Sequence, residues 1–178
     1  MKPLVAICLV VLLTSVLPCS VAEQGSSNGQ MLAVSIRSLK PSYGIKEKLS
    51  IEIQLQNVGN ESLLLWRSWA WGVGRTDVRV VDNNGKDVVT TFLADQLPPM
   101  PRKEDFIELK PTEFFGIRLT EDATHFVNTP GTYDFVVEHT VPFTQQDIRK
   151  YVSLPDLPVW GRERGTIASN RIRIEISK

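Results

Sequence analysis

Hydrophobic and polar positions alternate one for one along most of the chain, the period of half-buried β-strands, and no stretch sustains the 3.6-residue stripe of an amphipathic helix. Leu49, Ile51, Ile53 and Leu55 interleave with Ser50, Glu52, Gln54 and Gln56 and give the clearest case. Leu32, Val34 and Ile36 make an earlier strand, broken by Lys40-Pro41-Ser42-Tyr43-Gly44. Asn57-Val58-Gly59-Asn60 turns the chain into an apolar strand over 62–66. Val78 and Val80 lead into Asp82-Asn83-Asn84-Gly85-Lys86 and out through Val88 and Val89, and Asn-Gly between strands predicts a hairpin because both residues accept φ > 0. Strands over 106–109 and around Phe115, Ile117 and Leu119 flank Lys110-Pro111-Thr112-Glu113. Ile172, Ile174 and Ile176 close the chain, facing in against Arg171, Arg173 and Glu175.

The stretch around which these strands are expected to assemble is Pro130-Gly131-Thr132-Tyr133-Asp134-Phe135-Val136-Val137-Glu138-His139. Proline and glycine open a turn, and Tyr133, Phe135 and Val137 then share one face. A Tyr just after such a corner is a mark of immunoglobulin-like sandwiches, and its hydroxyl is expected to bond to backbone just upstream. Trp66, on the third long strand, is the expected inter-sheet core Trp. The predicted fold is all-β, an antiparallel immunoglobulin-like sandwich of about seven to nine strands, forming a single domain over 31–178.

Leu49 to Asn57 with Gly59-Asn60, then Asp77-Val78-Arg79-Val80-Val81-Asp82 with Gly85-Lys86, Leu109-Lys110-Pro111 and Pro130-Gly131-Thr132-Tyr133 together resemble secreted bacterial immunoglobulin-like domains. The same order is similar to the sandwich of BsuPI-type bacterial proteinase inhibitors, over about residues 45–140. That resemblance implies proteinase inhibition as one function. No inhibitory residue carries over, because Val88-Val89-Thr90-Thr91-Phe92 stands where the inhibitor pattern is Trp-rich.

The first 22 residues change the compartment. Lys2, an apolar run from Leu4 to Leu17 and the small residues of Ser20-Val21-Ala22 read as a secretory signal cleaved after Ala22, since the run is too short to span a bilayer. Residues 23–30, rich in Gly, Ser and Gln, read as a flexible tether. Both cysteines, Cys8 and Cys19, lie in the leader, and lipid attachment at Cys19 is the alternative to simple secretion or periplasmic release. The remaining chain has no cysteine, and its core must carry stability unaided. Loss of Lys2 leaves 19 basic against 20 acidic residues. That balance argues against nucleic acid as a partner, and no membrane insertion is expected after cleavage.

Catalytic and metal chemistry find little footing. His125 and His139 have no third donor at ligand spacing, and both read as ordinary polar surface. The acidic hairpin at Asp82 lacks the later Gly and Glu of a calcium loop. There is no Gly-x-Ser-x-Gly elbow and no phosphate-cradling glycine loop, and Glu104-Asp105 and Glu121-Asp122 read as solvated charges at strand ends. No cofactor and no enzymatic activity are expected.

What remains is recognition. Trp69 and Trp71 share a parity opposite to Trp66 and either cover a rim or stack on a ligand. The long excursion over 141–166 is interrupted by Pro142, Pro155 and Pro158, which argue against a further central strand. Within it Tyr151, Trp160 and Arg162 either form an anchor set of the kind found at binding hot spots or belong to a loop that Trp160 staples over an open sheet edge. The expected function is a non-catalytic secreted or periplasmic binding module for a protein or polysaccharide ligand. The alternatives are a proteinase inhibitor and a carbohydrate-binding module using exposed Trp residues.

Overall fold

The computed structural model describes residues 31–68, 76–88 and 99–178. Its strands are β1 (Leu32–Ser38), β2 (Ser42–Gly44), β3 (Lys48–Asn57), β4 (Leu63–Trp66), β5 (Asp77–Asp82), β6 (Asp87–Val88), β7 (Phe106–Leu109), β8 (Phe114–Asp122), β9 (Gly131–His139), β10 (Ile167–Ala168) and β11 (Ile172–Ser177). A single α-helix among the described residues, α1 (Gln145–Tyr151), lies between β9 and β10. The protein is a mostly antiparallel β-sandwich of the immunoglobulin-like kind, with β2 joining β11 in parallel. Eight of these strands have four residues or more, and three are two- or three-residue additions.

One sheet has the order β1-β3-β8, and the other runs β2-β11-β9-β5-β6, with β10 continuing the β11 side of β9. β4 and β7 make a separate antiparallel ribbon. The alternation in β3 translates directly into burial: Leu49, Ile51, Ile53 and Leu55 are enclosed while the residues between them are half-buried. They meet Phe135 and Val137 of β9 and Ile174 and Ile176 of β11 in one continuous apolar core. Phe135 also packs edge-on against Phe126, with ring centroids 5.8 Å apart.

The corner before β9 closes as its sequence predicts. Tyr133 donates its hydroxyl to the Thr129 carbonyl at 2.9 Å. The ring lies back over Gly131, where a Cβ would come within 3.3 Å of ring atoms and of the hydroxyl, so glycine leaves room for it. At the hairpin, Gly85 takes φ +78° and the Asp82 carboxylate accepts from the backbone N–H groups of Asn84 and Lys86. Those bonds make Asp82 a turn residue.

Trp66 is buried, packing edge-on against Phe143 at 5.6 Å. Three other sequence expectations are corrected. His139 is enclosed in the core, with Nδ1 2.7 Å from the Thr76 hydroxyl, and burial pushes its pKa down to about 4. Asp105 is buried too: its carboxylate accepts from the backbone N–H and the guanidinium of Arg102, closing the 3-10 turn Lys103–Asp105. A buried carboxylate persists because each oxygen has a donor. Lastly, the excursion over 141–166 contains α1, invisible to periodicity because seven residues bury only Ile148. The available signal was the cap. Thr144 accepts from the Asp147 N–H at 3.0 Å, and Asp147 accepts from the Thr144 hydroxyl at 2.7 Å.

Candidate binding face

The outer side of the β1-β3-β8 sheet is built in rows by strand register. Arg37, Glu52 and Arg118 lie abreast, then Ser35, Gln54 and Gly116, then Ala33, Gln56 and Phe114. These are the residues out of phase with the buried Ile53 and Leu55, so the face is a consequence of the alternation that built the core. Gly116 contributes no side chain between Phe114 and Arg118. The result is a concavity of ≈ 550 Å³ lined by Ser35, Arg37, Glu52, Gln54, Phe114 and Arg118, among others.

At one end, Glu52 joins two cations. Its Oε2 accepts from Arg37 Nε at 2.5 Å and its Oε1 from Arg118 Nη2 at 2.6 Å. The Arg118 and Arg37 guanidiniums hold the Glu52 carboxyl below the usual carboxylate range. Both arginines remain largely exposed while Glu52 is mostly covered. The three side chains sum to one positive charge, and the carboxylate fixes where the two guanidiniums stand. At the other end Phe114 is 62% exposed, an unusual place for a large aromatic ring. Between them the Gln54 amide projects from the sheet, and the Gln56 amide donates to the Thr112 carbonyl at 3.2 Å.

The residues expected from sequence to bind lie elsewhere. Trp69 and Trp71 fall outside the described residues. Tyr151 is 59% exposed at the end of α1, with Lys150 Nζ 5.4 Å from its ring centroid. Arg162 is exposed in the 3-10 turn Arg162–Arg164. Trp160 is only 4% exposed, so the expected anchor set of Tyr151, Trp160 and Arg162 is not presented on one surface. The reason is backbone pairing. Trp160 N–H donates to the Leu64 carbonyl at 3.0 Å and Leu64 N–H to the Pro158 carbonyl at 2.7 Å, which adds this segment in parallel to the free side of β4 and turns the indole inward.

Among the cations of the excursion, Arg149 is tied to the loop's own backbone, donating to the carbonyls of Leu157 at 2.6 Å and Pro155 at 3.3 Å. Glu163 accepts from the Gln145 N–H. Among the described residues no group of three His, Cys, Asp or Glu side chains is placed to hold a metal.

No protein-family model matches the chain, the BsuPI type included, and no curated protein matches it. Solved structures resemble it distantly. One is the CARDB domain of a Pyrococcus furiosus protein in complex with di-metal ions, at 14% identity and TM-score 0.37, covering 82% of this chain and 92% of that one. Another is a β-glucosidase from Erythrobacter marinus, at 12% identity and TM-score 0.37, covering 82% of this chain and 15% of the enzyme. A third is a β-glucosidase from Listeria innocua in complex with isofagomine, at 12% identity and TM-score 0.38, covering 83% and 16%.

Proposed function

We propose that the chain is an exported, non-catalytic interaction module that binds its partner on the outer face of the β1-β3-β8 sheet. The supporting observation is the concavity over Gly116, which combines an exposed aromatic ring, an amide and a braced arginine pair on rigid strands. Function placed on strands rather than loops comes with fixed side-chain spacing, and that lowers the ordering cost of binding. Export follows from the leader-like first 22 residues. The mature protein then begins at Glu23, and a lipid mass on Cys19 in its place would make the module membrane-anchored instead.

The discriminating variant is Gly116→Val. A Cβ at this position meets only the Ile53 carbonyl oxygen, at 3.4 Å, and the backbone there suits a branched residue. The variant should therefore melt like the parent while raising the floor of the concavity between Phe114 and Arg118. Retention on a panel of immobilised polysaccharides and proteins should be lost in Gly116→Val. Equal retention of both proteins would remove this face as the binding surface.

A further inference from the structure

We infer that the concavity binds an acidic polysaccharide, a chain of uronic-acid type, with its carboxylate on Arg37 and Arg118 and a sugar ring against Phe114. The inference rests on the reading of this face as the binding surface and names its ligand class.

Charge selects the ligand's sign. Arg37 offers Nε to Glu52 and Arg118 offers Nη2, which leaves N–H groups of both guanidiniums directed to solvent. A single carboxylate can then be received by two cations already held at a fixed separation, and an arginine fork matches carboxylate geometry better than it matches a neutral hydroxyl. A cationic ligand would meet net repulsion at this end.

The rest of the face selects a sugar over an acidic peptide. Along β8, Phe114 and Arg118 stand four positions apart, a span of about 13 Å in an extended strand and the reach of a short oligosaccharide. In that span stand Ser35, Gln54 and, at the floor, Gly116. Hydroxyl and amide groups pair with vicinal sugar hydroxyls, and the ring of Phe114 offers its face to the C–H side of a pyranose.

The test is isothermal titration with hexagalacturonate, its fully methyl-esterified form and a poly-glutamate peptide. The acid form should bind at least tenfold more tightly than the ester, should outcompete poly-glutamate, and should weaken as salt rises. Arg37→Gln combined with Arg118→Gln should weaken it tenfold or more, Phe114→Ala several-fold, and Gly116→Val should abolish it without changing the melting curve. Equal binding of acid and ester would overturn the acidic specificity, and equal or tighter binding of poly-glutamate would overturn the sugar. Binding of hexagalacturonate that Gly116→Val leaves intact would place the site elsewhere. If no galacturonate binds while Gly116→Val still loses retention on the wider panel, the uronate inference falls and the module reading stands.

Discussion

The carboxamide of Asn170 serves both backbone groups of Ile36 from across the sandwich: Oδ1 accepts from the Ile36 N–H at 2.8 Å and Nδ2 donates to the Ile36 carbonyl at 3.0 Å. Ile36 lies on β1, an edge of its sheet, and its backbone groups point away from β3. Asn170 stands at the break between β10 and β11. Beside it, Ser169 keeps the ladder with β9 through its N–H to the Val137 carbonyl at 2.8 Å and its hydroxyl, which accepts from the Val137 N–H at 2.9 Å. One short interruption therefore preserves one sheet and caps the edge of the other.

Replacing Asn170 by Ala orphans both groups of Ile36. The expected loss is about 1–3 kcal/mol, measured by urea denaturation, because unpaired groups near the interior cost more than the net worth of the bonds. An unchanged midpoint would mean that water replaces the amide at no cost.

Tyr133→Phe removes the hydroxyl that closes the corner through the Thr129 carbonyl. A drop in stability of about 1 kcal/mol is expected, visible as a shift of several degrees in melting temperature. The packing of the ring over Gly131 is retained, so a much larger loss would point to a different role for the corner.

Trp160 separates two ways of reading its loop. Its indole is buried and its Nε1–H has no partner among the described residues. Trp160→Ala should cost about 3–5 kcal/mol by opening a cavity beneath the segment that flanks β4. Trp160→Phe should cost far less, since the smaller ring also removes an unpaired buried donor. Unaltered melting in both variants with lost partner binding would return Trp160 to the role of a recognition anchor.

How much could be read in advance follows from what periodicity carries. The alternation in β3 and β9 and the Asn-Gly and Pro-Gly turns are local signals, and the strands and the Tyr133 corner follow from them. The burial of His139 was there to be read from parity, since it shares the face of Tyr133, Phe135 and Val137, whereas its partner Thr76, 63 positions away in sequence, meets it only in the folded chain. The helix α1 buries one residue and leaves no stripe. The face around Gly116 was half legible. Phe114, Gly116 and Arg118 stand out of phase with Phe115, Ile117 and Leu119, and an aromatic ring on the solvent parity was the clue. Its pairing with Arg37 and Glu52 required the register.

His139 predicts how the protein responds to acid. Its pKa falls from 6.5 to about 4 because burial disfavours the imidazolium, so the unfolded chain takes up a proton in a range where the folded chain does not. Stability is therefore full above about pH 6.5, declines as pH falls toward 4, and gains no further loss from this residue below that. The gap corresponds to on the order of 3 kcal/mol. The carboxylates held below their usual range, Asp134 by Arg173 and Glu52 by Arg118 and Arg37, act in a lower window, since their contribution is lost only as pH drops beneath the ordinary carboxylate pKa. Denaturation midpoints collected from pH 7 to 4.5 should slope downward, and His139→Phe, whose ring does not titrate, should flatten that slope whatever it costs in absolute stability. A wild-type profile that is level across this range would show that His139 is protonated without unfolding and is not sealed in the core.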